Sequence, residues 1–359
     1  MMKPSGKSTW LVCVGLAWTL SGPAVAPAQE TAGQTLAKIE KLAPEKRQAA
    51  LIEGAKAERE VTFYSSLQAQ QLDPFARAFN KRYPFLKVNL YRVSGNKQLI
   101  KIQTEYAAGK PLVDVINGSG EDVAVMKKGG MLDPYNSSQR EFYAAADKDK
   151  EGYFTAFYVI PMVLGYNSRM VKRPDVPKTY EDLLNPKWKG QMFLDNEAYD
   201  WFAVLIKHFG KEKGLQFMRA LAKQDLGFIR GRTQQSQLLI AGERPLAIVL
   251  SGHTVLDLKA NGAPIDWVGL EPFFSSANYL MLSRRAPHPH AAALFIDWSL
   301  SEEGQSVITT FGRVVARKGV KQRFPELVER PAIPVDLEYM APVLEESSKQ
   351  FREIFLDGK

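Results

Sequence analysis

Between Val61 and Asp133 the chain repeats one pattern three times: a short apolar run, a turn of small polar residues, then apolar residues at helical spacing. Residues 61–64, 88–93 and 113–117 read as strands. Leu72, Phe75, Ala76 and Phe79 mark the first helix, Leu99, Ile102 and Tyr106 the second, and residues 123–128 the third. Asp73-Pro74 suits a cap and first turn if the first helix starts there. Alternation at this spacing predicts an α/β fold, a parallel sheet with helices on both faces. In such sheets ligands lie beyond the carboxyl ends of the strands. The turns Tyr64-Ser65-Ser66, Ser94-Gly95-Asn96 and Asn117-Gly118-Ser119-Gly120 fall at those ends. Unpaired amides and the helix dipole make such turns suited to a small anionic or hydrogen-bonding ligand. Ser65, Ser66, Asn96, Lys97, Asn117 and Ser119 are therefore candidate ligand contacts.

The alternation resumes after an extended apolar run at 154–166. Strands are predicted at 191–194, 227–230 and 246–250, and helices at 199–209, 214–222 and 233–241. The polar turns here are Asp195-Asn196-Glu197, Arg230-Gly231-Arg232-Thr233 and Ser251-Gly252-His253-Thr254. They add Asn196, Arg230, Thr233 and His253 to the candidate contacts, with Tyr199 placed to stack on a ligand. Arg230 and Arg232 could grip a carboxylate, phosphonate or phosphate at two points. A second extended run, 265–274, is expected to return the chain to the first lobe. About 330 residues exceed what one small core holds, so two lobes are expected: 57–160 with 272–315, and 161–271. Residues 29–56 read as two short helices broken at Pro44, and the packing of 316–359 is left open.

The first residues read as a secretory signal peptide. Lys3 and Lys7 precede an apolar core at 11–20, and Ala26-Pro27-Ala28 offers small residues for cleavage. Cys13, the single cysteine, lies inside that segment, so the mature chain is expected to have no disulfide, thiolate metal site or cysteine nucleophile. Export to a bacterial periplasm follows as the expectation. Removing two lysines and no acid lowers the net charge from +8 to +6. Basic residues are interleaved with acids, as in Lys56-Ala57-Glu58-Arg59-Glu60, which argues against a nucleic-acid surface.

Several strings carry a family resemblance. They are Lys56-Ala57-Glu58 before residues 61–65, Tyr166-Asn167, Asp182-Leu183-Leu184-Asn185-Pro186-Lys187-Trp188-Lys189-Gly190, Ile240-Ala241-Gly242-Glu243 before 246–248, and the segment 288–305. Together the chain resembles the periplasmic solute-binding components of ABC importers, in the branch that serves ferric ion, phosphonates, thiamine and polyamines. The resemblance implies a two-lobed fold of the second periplasmic-binding type, each lobe a mainly parallel sheet flanked by helices and joined by two hinge strands. It also implies closure on a solute and delivery to a membrane permease, with ATP hydrolysis on separate subunits. Ferric members carry a histidine after the first strand and a tyrosine pair after the strand matching 246–250. This chain has Ser65-Ser66-Leu67 and Ser251-Gly252-His253 there, so the phenolate ligands of iron(III) are missing.

No Gly-x-Ser-x-Gly, phosphate-loop or His-Glu-x-x-His pattern occurs, and nothing selects a pair of carboxylates for hydrolysis. No catalytic residue, metal or cofactor is expected, and a monomer is. Arg230, Arg232 and Lys97 favour a small organic anion, while Asp195 and Glu197 could serve a cationic group, which admits a zwitterion; a polyamine or a sugar would need only modest changes at the same turns. A periplasmic solute sensor is the alternative with the same fold, and iron bound through other ligands is a further one.

Overall fold

A computed structural model describes residues 30–93 and 95–357; the expected signal segment lies outside them. Two helices come first, α1 (Ala32–Glu40) and α2 (Pro44–Glu58), with Pro44 at the first position of α2, where its missing N–H leaves nothing unpaired. Strict alternation follows: β1 (Glu60–Ser65), α3 (Ala69–Arg82), β2 (Lys87–Arg92), α4 (Asn96–Ala107), β3 (Val115–Ser119) and α5 (Gly120–Lys128). The helix α3 starts a turn earlier than Asp73-Pro74 suggested. Gln68 and Gln71 cap it reciprocally, which lets Pro74 sit inside the helix while Gln71, Leu72 and Phe75 are buried.

After β4 (Leu132–Asp133) and the long β5 (Thr155–Asn167), alternation returns with β6 (Met192–Asp195), α6 (Tyr199–Phe209), α7 (Lys211–Ala222), β7 (Gly227–Ile229), α8 (Arg232–Ala241), β8 (Leu246–Ser251) and α9 (Gly252–Ala260). The chain ends with β9 (Ile265–Val268), β10 (Phe274–Ser283), α10 (Pro289–Leu300), α11 (Glu302–Thr310), β11 (Ile333–Pro334) and α12 (Leu337–Phe355). No described helix is long and apolar enough to cross a membrane.

The strand order is β2-β1-β3-β10-β5-β8-β6-β7. The outer strands are parallel on each side, β2-β1-β3 and β8-β6-β7, while β10 and β5 run antiparallel between them. One strand serves both halves: Thr155 to Pro161 of β5 pair with β10, and Met162 to Asn167 pair with β8 and β9. The expected return run 265–274 is two elements. Residues 265–268 pair beside β5, and the strand leading back is β10. Pro272, which has no N–H to give a ladder, falls in the break between β9, which ends at Val268, and β10, which starts at Phe274.

Each half has its own core. Phe63, Phe75, Phe79, Phe157 and Phe295 fill the first, and Trp201, Phe202, Phe351 and Phe355 the second. The last helix, whose place the sequence left open, belongs to both. Its Phe351 and Phe355 pack on Phe202, while Leu337 at its start lies against Gly120, where an added side chain would have to displace a Leu337 methyl.

An ion pair fixes the start of α10. Asp114, fully buried, accepts from the His288 backbone N–H at 2.7 Å and lies 2.9 Å from His288 Nδ1. The bond to Asp114 raises the His288 pKa above its usual 6.5. A raised folded-state value means that the stabilisation is complete below the unfolded pKa and is lost as pH rises through the folded one. Melting temperatures taken between ~pH 6 and ~pH 9 are expected to show the advantage of the wild type over His288→Gln shrinking as pH rises. A constant difference would refute this.

Candidate functional site

The carboxyl ends of β1 and β3 bring the first turns together as a buried polar network. Ser65 Oγ donates to Asn117 Oδ1 at 3.0 Å and accepts from the Leu67 N–H. Ser66 Oγ lies 3.0 Å from Asn117 Oδ1, 2.8 Å from Asn278 Oδ1 and 3.0 Å from the Tyr158 hydroxyl. Asn117 in turn donates to the Tyr279 carbonyl. These side chains spend their hydrogen bonds on one another across β1, β3, β5 and β10. Ser66→Ala is expected to cost about 1–3 kcal/mol by stranding these partners, read as a shift in the denaturant midpoint at unchanged slope.

A cleft of about 220 Å³ opens beside this network. The first half contributes Ser119, Gly120 and Glu121 from the start of α5, and the second half Glu197, Asp200 and Arg232. Ser276, Asn278 and Tyr279 of β10 form one wall, and Leu337, Met340 and Leu344 of α12 form another. Ser119 caps α5 through its side chain and exchanges bonds with Asp122, so it holds the helix end as well as lining the cleft.

The charges here are unequal in number. Arg232 Nη2 donates to both Asp200 oxygens at 3.3 Å, and the exposed Arg230 Nη2 sits 3.0 Å from Glu197 Oε1. Glu121 has no ion-pair partner among the described residues. Burial pushes its pKa up to about 7, the charges of Asp200, Asp122 and Glu197 add to that, and Arg232 opposes it. Both arginines singled out in the sequence are thus already neutralised, and the acid Glu121 is left without a counter-ion.

The other sequence candidates lie around this site. Asn96 and Lys97 are exposed at the start of α4 and do not line the cleft, nor does the exposed Thr233. Tyr199 packs edge-on to Phe351, with ring centroids 5.3 Å apart. Asn196 is half-buried and its Oδ1 has no hydrogen-bond partner. His253 is buried at the start of α9, where its Nε2 accepts from Arg313 at 2.8 Å. Burial, with the charges of Arg313 and Arg232, holds its pKa well below the usual value, so the ring is neutral.

Sequence reasoning missed Glu121, Asp200 and Asn278 as lining residues. Glu121 and Asp200 each occupy the second position of a helix that follows a polar turn, a signal that was available. Asn278 lies in mid-strand and the α12 residues arrive from far along the chain, with no local mark. Among the described residues no group of three or more His, Cys, Asp or Glu is arranged to hold a metal ion.

Solved structures with this fold include periplasmic binding proteins. The iron-bound HitA of Pseudomonas aeruginosa superposes with a TM-score of 0.73 at 20% identity, over 83% of this chain and 99% of that one. AfuA of Actinobacillus pleuropneumoniae, solved with fructose-6-phosphate, gives 0.71 at 20% identity over 82% and 98%. These likenesses establish the two-lobed fold of the second periplasmic-binding type. In sequence, a probable ABC transporter periplasmic-binding protein of Sinorhizobium fredii is 24% identical over 255 residues, covering 66% of this chain and 70% of its own length. An Fe(3+)-binding periplasmic protein of Serratia marcescens is 18% identical over 268 residues, 72% of this chain and 78% of its own. The profile of the family described as bacterial extracellular solute-binding protein matches residues 110–341, which hold β5, β10 and every cleft-lining residue except Leu344. With that match spanning more than half of its length, the chain belongs to the bacterial extracellular solute-binding protein family.

Proposed function

We propose that this chain is the periplasmic substrate-binding component of an ABC importer, a monomer that captures a small zwitterionic solute in the cleft and delivers it to a membrane permease. The observation that carries this is the cleft itself. Helix starts from both halves converge there, at the carboxyl ends of parallel strands, with an unpaired carboxylate on Glu121 facing Arg232 and Asp200. A solute that touches both halves binds a closed arrangement better than an open one, and only such differential binding drives closure around β5 and β10. The family's members are binding proteins, and no catalytic step is assigned to these residues. The iron reading suggested by the Serratia relative has less support, because Ser65-Ser66-Leu67 and Ser251-Gly252-His253 stand where ferric members carry histidine and tyrosines.

The test is a thermal-shift screen of the exported chain against amino acids, carboxylates, phosphate esters, polyamines and ferric citrate, followed by small-angle scattering with the best solute. A rise in melting temperature with compaction at saturation is expected. Binding without compaction would refute closure, and a preference for ferric citrate would refute the solute class. A cationic group beside Glu121 must hold it ionised, so affinity is expected to increase from ~pH 6 to ~pH 8 as Glu121 loses its proton, and Glu121→Gln to abolish that dependence.

A further inference from the structure

The cleft has two chemically different sides. Its charged groups, Glu121, Glu197, Asp200 and Arg232, stand at or just before the starts of α5, α6 and α8. Three acids meet one base, and that base already donates to Asp200. The side formed by α12 carries no charge: the helix lines the cleft with Leu337, Met340 and Leu344.

The spacing of these three residues, three positions and then four, puts them along one face of the helix. Seven positions at 1.5 Å per residue make that stripe about 10 Å long. The acids of the same helix, Glu338, Glu345 and Glu346, are exposed and none of them lines the cleft. Met340 is buried, but Leu337 and Leu344 are half-buried, so part of their apolar surface is left facing the cleft. Ile160 of β5 and Ala277 of β10 extend that surface across the two central strands.

The wall is held in place and begins beside the acid. Phe351 and Phe355, further along α12, pack on Phe202 and tie the helix to the second core. Leu337 lies against Gly120, the residue before Glu121. A group bound at Glu121 therefore has apolar surface next to it, and not only the neighbouring acids. The space is about 220 Å³. One water needs roughly 15 Å³, so there is room for a body of many atoms. A solute polar throughout would have to strip water from groups that find no partner on α12, which is costly, whereas an aliphatic body covers the wall at a gain.

We propose that Leu337, Met340 and Leu344 form an apolar subsite that makes the cleft selective for a zwitterion whose ammonium group is joined to an aliphatic body. The ammonium lies at Glu121 and the body along α12. The assignment rests on the solute-binding reading above and adds to it the chemical character of the rest of the solute.

The test is titration calorimetry of the exported chain with glycine, alanine, 2-aminobutyrate and norvaline, which keep the charged groups constant while the side chain grows. Each added methylene is expected to tighten binding about fourfold and to make the heat-capacity change of binding more negative. Leu344→Gln is expected to reduce that step to less than about twofold, because its amide holds water at the wall. Should Leu344→Gln not fold, Leu337→Ala carries the test, again with a reduced step expected. A wild-type affinity that does not rise with chain length overturns the subsite, and so does an unchanged step in the variant. If these amino acids fail to bind while another class from the screen above binds with compaction, the subsite is overturned and the importer reading stands. Absence of binding by every solute of that screen overturns both.

Discussion

Phe295→Ala is expected to lower the unfolding free energy by about 3–5 kcal/mol, the range for truncating a fully enclosed aromatic side chain. Phe295 has no exposed surface and sits among Phe63 and Phe79 at 4.9 Å and Phe75 at 6.0 Å between ring centres. These three rings come from β1 and α3, so the void cannot be filled by one neighbour moving. Every residue from Ala291 to Leu300 on α10 is buried, which leaves the helix no freedom to shift toward the gap. Denaturant unfolding with an unchanged slope checks the value, and a loss below about 1 kcal/mol would mean that this core repacks.

Removing α12 by ending the chain at Asp336 is expected to have a larger effect, and a different one. Phe351 and Phe355 are buried against Phe202, and Tyr199 packs on Phe351. Each lost phenylalanine costs about 3–5 kcal/mol, and the apolar face of α6 is bared to water. Leu337, Met340 and Leu344 also form a wall of the cleft, so solute binding is expected to fail together with stability. Leu337→Ala separates the two roles. It shortens the side chain against Gly120 and is expected to weaken binding while the Phe351 and Phe355 contacts keep the second core intact. A truncated chain that melts like the wild type would show that the helix contributes nothing to that core.

The strands and helices that build the two parallel triplets were legible in the sequence. Their periodicities of two and 3.6 record which faces are buried, and the polar turns at 64–66, 117–120, 195–197 and 230–233 mark where each strand gives way to a helix. Local competition explains the boundaries that moved. The start of α3 depended on whether Gln68 or Asp73 capped it, and only the burial of Gln71 and Leu72 in three dimensions favoured the earlier position.

What the sequence by itself determined is the order of elements, the placing of polar turns at strand ends and, through strings such as 182–190, the family. The tertiary structure alone decided the electrostatics of the cleft. Arg230 and Arg232 looked like free cations in the sequence, but folding sets each within 3.3 Å of an acid and leaves Glu121 as the acid without a counter-ion there. The physical reason is that a charge is paired or unpaired according to what lies within a few ångströms of it, and here those neighbours are distant in sequence. Asp200 meets Arg232 from 32 positions away, and His253 meets Arg313 from 60. Periodicity reports which way a side chain faces, but carries no information about what faces it.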